Sequence, residues 1–565
     1  MTMRHTARQR LLASVLLWGL AVAAAGAQVG SDRLEHAVEE PGNWLTYSGN
    51  YFSDRYSRLD RITPDNVGDL ERQWVYQSTT FGPSWESTPL VVDGIMYVTQ
   101  RPNDVVALDA RTGRVFWIYR YPTPSDHRAC CGSNNRGVAV LGDRLFMATL
   151  DAHVVAIDAV TGAELWDVEV ADKSLAYSFT LAPLAIKDKV IVGTAGGDRG
   201  IRGFVAALDA ATGEEVWRFY TIPGPGEPGH ETWEPCPPDP ETYCDPEAWK
   251  HGGGSVWLTG SYDPALNLTY WGVGNPGPDW NPAQRPGDNL YTSSVVALDA
   301  DTGELRWHFQ FTPGDPYDYD AVQIPVLADI ERNDTLFRVM LWANRNGFYY
   351  VLDRATGRFL TGRAFVRVNW AAGLDDSGRP IETPQPPGEP TFPAVAGATN
   401  WYSPSFSPRT ELFYVPAWEE RASIFNPEPQ VYEPGESFLG GLPGAYAPVP
   451  DAATPPTRRG PINDWTAEAG YGAVLALDAL TGQERWRFDL ADVIRSGIMT
   501  TASDLLFTGA RSGYFQAHDA RTGDLLWRVN LGGEIASGPT TYEVDGRQYV
   551  TIIAGHSLSA FALPE

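Results

Sequence analysis

Short runs of β-branched and other apolar residues recur along the chain, among them Asp104–Asp109 (DVVALD) and His153–Asp158 (HVVAID). Each leads into the turn signal Asp-x-x-Thr-Gly and then into a second alternating run such as VFWIYR or EVWRFY. That order predicts a β-hairpin and not a helix pair. A further pair of strands precedes the hairpin, as in PLVVDGIMYVT and VAVLGDRLFMAT, which makes four strands per unit. Four-stranded units of this kind are the blades of a β-propeller.

The unit repeats. The motif Ala-x-Asp-x-x-Thr-Gly-x-x-x-Trp ends at Trp117, Trp166, Trp217, Trp307, Trp486 and Trp527, and a degenerate copy without the Trp spans Val351 to Leu360. Neighbouring copies are 49 residues apart from Trp117 to Trp166, 51 from Trp166 to Trp217 and 41 from Trp486 to Trp527. Periods of this size mark propellers or solenoids, and the hairpin pattern selects the propeller. The copies alone do not fix the number of blades. The 90-residue gap from Trp217 to Trp307 and the Pro/Gly-rich stretch from about 422 to 465 read as insertions on the blades. The recurring Trp reads as a flat ring wedged between neighbouring blades.

Composition agrees with this picture. The 565 residues include 56 Gly, 44 Pro and 20 Trp, as an aromatic-rich fold with many turns requires, and a hydrophobic share of 43% excludes disorder. The formal charge of −27 argues against nucleic acid or an anionic membrane as partner and favours a basic protein. At the N-terminus, Arg4, Arg8 and Arg10 precede an apolar run from Leu11 to about Ala25, closed by Ala25-Gly26-Ala27. This reads as a secretory signal peptide over 1–27. The run falls short of the ~20 residues of a membrane span, so no stable membrane insertion is expected. Residues 28–565 are expected to form one propeller domain in an oxidising compartment, the periplasm, where four Cys can form disulfides.

Few motifs carry chemistry. Cys130 and Cys131 are adjacent, so a bond between them would close almost no loop and would serve a local function; two buried thiols are the alternative. Cys236 and Cys244 read as a loop staple. In TPGDPYDYD, Asp315, Asp318 and Asp320 share one short loop. Carboxylates two apart on an extended segment point the same way, which suits a hard cation or an acid/base pair, or else a solvated turn. The glycines of HGGGSVW allow a close backbone approach before Trp257, and NRNG sets Arg345 beside a turn. No zinc-spaced Cys/His cluster, phosphate-binding loop, GxSxG or CxxCH is present in the sequence.

Taken together and in this order, the Cys130–Cys131 pair six residues before Arg136, HGGGSVW, GNPGPDWN, the Asp-rich loop, NRNGFYYVLDR and ATNWYSP resemble the quinoprotein alcohol dehydrogenases. These are the methanol/ethanol class that uses pyrroloquinoline quinone (PQQ). The resemblance runs from about Asn43 to the C-terminus and implies a single all-β, eight-bladed propeller. It further implies oxidation of a primary alcohol to an aldehyde, with electrons leaving singly to a soluble c-type cytochrome. A homodimer is left open as the assembly. A quinoprotein acting on sugars or polyols, and a non-catalytic propeller scaffold, are the alternatives.

The same resemblance assigns residues. Glu86 in SWESTPL corresponds to a quinone-binding Glu. A Cys130–Cys131 disulfide would cover one face of the flat cofactor and Trp257 the other, with Arg136, Thr149 and Ser255 at its polar edge. Ala195, Gly196, Gly197 and Asn400 add cofactor contacts. Asp318 corresponds to the catalytic base, and Arg345 to the group that bonds the quinone oxygens. Asp198, Asn275, Asp318 and Asp320 would hold one metal ion. Asp320 is the residue that implies a lanthanide(III), with Ca2+ as the alternative. Three positions depart from the family pattern: Asp198 is one methylene shorter than the usual Glu, Ala195 replaces a Ser, and Arg495 falls where a Trp is often found.

Overall fold

The computed structural model describes residues 29–565 except 83, 239–242, 387, 448–470 and 491. The leader over 1–27 therefore lies outside the described residues. From Leu90 onward the chain lays down seven four-stranded antiparallel units in chain order, and Tyr56–Ser57 adds a fifth, parallel strand to the edge of the last. The first comprises Leu90–Val92, Ile95–Gln100, Asp104–Asp109 and Val115–Arg120. The eighth blade is split: Thr540–Val544, Arg547–Ala554 and Ser557–Ala562 come from the C-terminus, and Glu71–Gln77 from the N-terminal region pairs with the last of them. This completes an eight-bladed ring, as the family resemblance implies. It also explains why counting motifs leaves the number open. Seven blades carry a copy of the Asp-x-x-Thr-Gly turn, while the split blade draws its fourth strand from elsewhere and has no such turn.

The repeat has a packing reason. The third strand of a blade, such as DVVALD, is buried along nearly its whole length because other blades cover both of its faces. In the turn that follows, Gly113 has φ +72°, and a Cβ there would lie 2.7 Å from the ring of Trp74. The same contact passes around the ring: Trp117 lies over Gly162, Trp166 over Gly213, Trp217 over Gly303, Trp307 over Gly357 and Trp486 over Gly523. Trp74, Trp217 and Trp486 also donate their indole N–H to the carbonyls of Ala110, Ala300 and Ala520, the residue after the motif Asp. The degenerate copy loses its Trp without losing the contact. Tyr349, from the preceding strand, packs against Gly482 and donates its hydroxyl to Ala479 O at 2.8 Å.

The described parts of both insertions lie where the sequence places them, while 448–465 of the second fall outside the described residues. The segment between the third and fourth blades holds a Cys236–Cys244 disulfide, and the sixth blade carries the hairpin Ala422–Pro427 with Gly441–Ala447 between its second and third strands. No described helix is long and apolar enough to cross a membrane.

Candidate active site

In an antiparallel blade the start of the first strand and the end of the second lie at the same end. Glu86, Thr180, Trp257, Asp318 and Arg495 precede first strands, whereas Asp198 and Arg345 follow second strands. All of them meet around one cavity of about 370 Å³, within the usual range for a small-molecule site. Cys130, Cys131, Arg136, Ala195, Gly196, Gly197, Ser255, Asp320 and Asn400 line it as well.

Two expected residues do not reach its wall. The Thr149 hydroxyl donates to Asp151 at 2.7 Å within a buried turn, and Thr180 lines the cavity instead. Asn275 sits behind Asp320, donating its backbone N–H to Asp320 Oδ1 at 2.9 Å. The triple glycine serves this loop: Gly254 N–H bonds Asn275 O at 2.9 Å, and a Cβ on Gly253 (φ +74°) would lie 2.9 Å from that same oxygen.

Acidic groups dominate one side. Asp318 adopts φ +60°, a left-handed conformation that costs a non-glycine residue energy and is common where function requires it. Arg345 Nη1 bonds Asp320 Oδ2 at 2.6 Å, and Nη2 lies 3.3 Å from Asp318 Oδ2. Trp257 also donates its indole N–H to Asp320 Oδ2 at 3.2 Å. Burial lifts the Asp318 carboxyl well above its usual range; Arg345 opposes this, while Asp320, Asp198 and Asp315 add to it. Asp198 is pushed up to about 6, by burial first and by Asp320 next. Asp315 is a scaffold: its oxygens accept from the N–H groups of Tyr317 and Tyr319 and from the Ser293 hydroxyl, fixing the turn that presents Asp318.

The opposite chemistry lies on another wall. Glu86 and Arg136 form a buried ion pair at 2.6 Å, and Ser84 and Asn134 bond the other Glu86 oxygen at 2.8 and 2.7 Å. The Arg136 guanidinium lies 5.1 Å from the Trp257 ring centroid and 5.4 Å from that of Trp401. Cys130 and Cys131 are bonded to each other, and both sulfurs lie within 4.8 Å of an Asp198 carboxylate oxygen. Oxidised sulfurs are not thiolate ligands, so this trio marks proximity of the disulfide to the acidic side. Among the described residues, no three carboxylates approach one another this closely.

Sequence reasoning missed several groups. Thr180 and Trp418 line the cavity but belong to no motif that singles them out, and Trp401 lines it from within ATNWYSP, where only its neighbour Asn400 is assigned a role. Asp279, within GNPGPDWN, is buried, and its Oδ1 has no hydrogen-bond partner. Burial, then Asp198 and Asp318, lift its carboxyl well above the ordinary value. The Nε atoms of Arg136 and Arg345 are likewise buried without a partner. A polar, flat-sided cavity with unpartnered donors on one part and surplus carboxylates on another fits a planar polyanionic quinone beside a hard cation.

Comparison with known proteins agrees. The model of the family described as glucose/ethanol/alcohol dehydrogenase, beta-propeller domain (PQQ), matches residues 44–368 and 491–550. Quinohemoprotein alcohol dehydrogenase ADH-IIG of Pseudomonas putida is 39% identical over 97% of this chain and 79% of that protein. The 1-butanol dehydrogenase (cytochrome c) of Thauera butanivorans is 38% identical over 91% of this chain and 74% of that protein. A europium-containing methanol dehydrogenase superposes with a TM-score of 0.85 at 34% identity, covering 94% of this chain and all of that one. On fold, cavity and these relatives, the chain belongs to the PQQ-dependent alcohol dehydrogenases and is an enzyme of that family.

Proposed function

We propose that this enzyme oxidises primary alcohols to aldehydes in the periplasm, using PQQ beside one lanthanide(III) or Ca2+ ion, and delivers electrons to a soluble c-type cytochrome. The observation that carries the reading is Asp318, held at φ +60° on the cavity wall with Arg345 at 3.3 Å. When bound, the quinone supplies the two-electron oxidant and the cation polarises it. Asp318 accepts the hydroxyl proton of the alcohol on its carboxylate. Arg345 keeps that carboxylate in place and directs an N–H toward the reacting end. Trp257 and the Cys130–Cys131 disulfide would enclose the cofactor and exclude water. Glu86, Arg136, Ser255 and Asn400 would hold its polar groups, and Ala195, Gly196 and Gly197 would leave room for it. Asp198, Asp318 and Asp320 are the residues that would hold the cation, with Asn275 behind Asp320 fixing its carboxylate.

Support for the finer points comes from charge and from relatives. An acidic chain of −27 steers a basic cytochrome, and one relative is named for its use of cytochrome c. The europium in a structural neighbour supports a lanthanide here, given Asp320. The leader supports export. The test is reconstitution with PQQ and either lanthanum or calcium, followed by dye-linked assay against ethanol, 1-butanol, glucose and glycerol. Turnover of the primary alcohols is expected. Preference for glucose or glycerol would reassign the substrate class, and no turnover with any of them would overturn the reading.

A further inference from the structure

Asp279 is a buried ionisable group to which the reading above gives no task. It is 1% exposed, and its Oδ1 accepts no hydrogen bond. A buried carboxylate oxygen without a donor is costly, and such a group points to a partner supplied from outside the chain.

Slack backbone does not explain it. The loop carrying Asp279 is fixed by Arg285, itself fully buried. Arg285 donates Nη2 to Asp279 O at 3.2 Å and to Asp315 O at 2.6 Å, Nη1 to Gly314 O at 3.2 Å and Asn289 Oδ1 at 2.9 Å, and Nε to Pro278 O at 3.0 Å. These bonds use all five N–H groups of the guanidinium. They lock the Asp279 loop to the Asp315–Asp320 loop, and none of them goes to the Asp279 carboxylate, whose one neighbouring donor is the Asn275 amide.

Asp198, Asp318 and Asp320 all act electrostatically on Asp279. Arg345 pairs with Asp318 and Asp320, and Arg199 adds a Coulombic pull on Asp198. The pocket is therefore built with more negative charge than its own side chains neutralise.

Resting on the cation reading above, we propose that Asp279 is a fourth carboxylate of the cation site and makes that site favour a trivalent over a divalent ion. Its attraction scales with the charge of the ion, so its loss costs a 3+ ion half again as much as a 2+ ion at the same distance. The effect does not require direct contact, because charge acts at the range of a second coordination shell.

The protein reconstituted with quinone is titrated with Tb3+, read by luminescence, and with Ca2+ in competition against Tb3+. Asp279→Asn is expected to weaken Tb3+ binding ~10–100-fold and Ca2+ binding by a smaller factor, narrowing the ratio. Asp279→Glu keeps the charge and should keep the ratio; it carries the test if the Asn variant does not fold. No loss, or an equal loss for both ions, overturns the role given to Asp279. If the unmutated protein binds neither ion, the cation reading itself falls, and that result is separable from any behaviour of the variants.

Discussion

Arg345 grips Asp320 more tightly than it grips Asp318: 2.6 Å to the first carboxylate and 3.3 Å to the second. The looser partner also has the left-handed backbone and the greater exposure, 19% of its side chain against 9% for Asp320. One carboxylate is thereby anchored and the other left able to take a proton. Asp318→Asn should keep quinone bound, seen by absorbance, while turnover at saturating alcohol falls by ~10²–10⁴-fold. A loss below tenfold would move the base elsewhere.

The disulfide should matter to the reaction more than to the fold. Cys130 and Cys131 are neighbours in sequence, so their bond constrains almost none of the unfolded chain. Replacing both with Ser is expected to reduce dye-linked turnover strongly and to shift the melting temperature by little. Full turnover in the double variant would end the case for a functional disulfide.

Stability should depend on the Trp contacts between blades. Trp486 is 9% exposed, lies over Gly523 and bonds Ala520 O at 3.0 Å. Trp486→Ala should cost about 3–5 kcal/mol in denaturant unfolding. Gly523→Ala is expected to be destabilising as well, since its φ is +82° and a Cβ would lie 2.6 Å from the same ring. Unchanged midpoints in both variants would show that the ring packs independently of these contacts.

His518 sets a second, acid-dependent term. Its Nδ1 donates to Gly523 O at 3.1 Å, Nε2 is buried without a partner, and burial pushes its pKa from 6.5 down to about 4. The folded protein thus binds this proton less readily than the unfolded chain. Its contribution to stability is complete above pH 6.5 and is lost as the pH falls toward 4, by about 3 kcal/mol in all. His518→Gln should flatten the stability profile in that window, as measured by urea unfolding at several pH values. An identical pH slope in the variant would remove His518 as the cause.

What could be read in advance follows from how far each signal reaches along the chain. The blade pattern is local, a turn followed by an alternating run, so seven units were legible from residues alone. The eighth was not, because Glu71–Gln77 pairs with strands near the C-terminus and no turn joins them. The same limit applies within the site. Asp318, Arg345 and the Cys pair sit in distinctive motifs, and all of them line the cavity. Thr180 was missed in favour of Thr149, because nothing short of the folded turn shows that the Thr149 hydroxyl is occupied by Asp151. Asp279 lay inside a recognised motif but looked like an ordinary turn residue, and only its burial and its unpartnered oxygen set it apart.

The split blade also imposes an order in time. Glu71–Gln77 is made early and must wait for Ser557–Ala562, which lies far later in the chain. Walls of the cavity from Glu86 to Arg495 come together around one ring, and that ring has no closing partner until Ser557–Ala562 has been made. A chain made N-terminus first can stack blades as they appear, yet the ring around the cavity stays open until its two distant segments meet. A cofactor gripped from several blades at once therefore needs the closed ring, and no single blade can hold it.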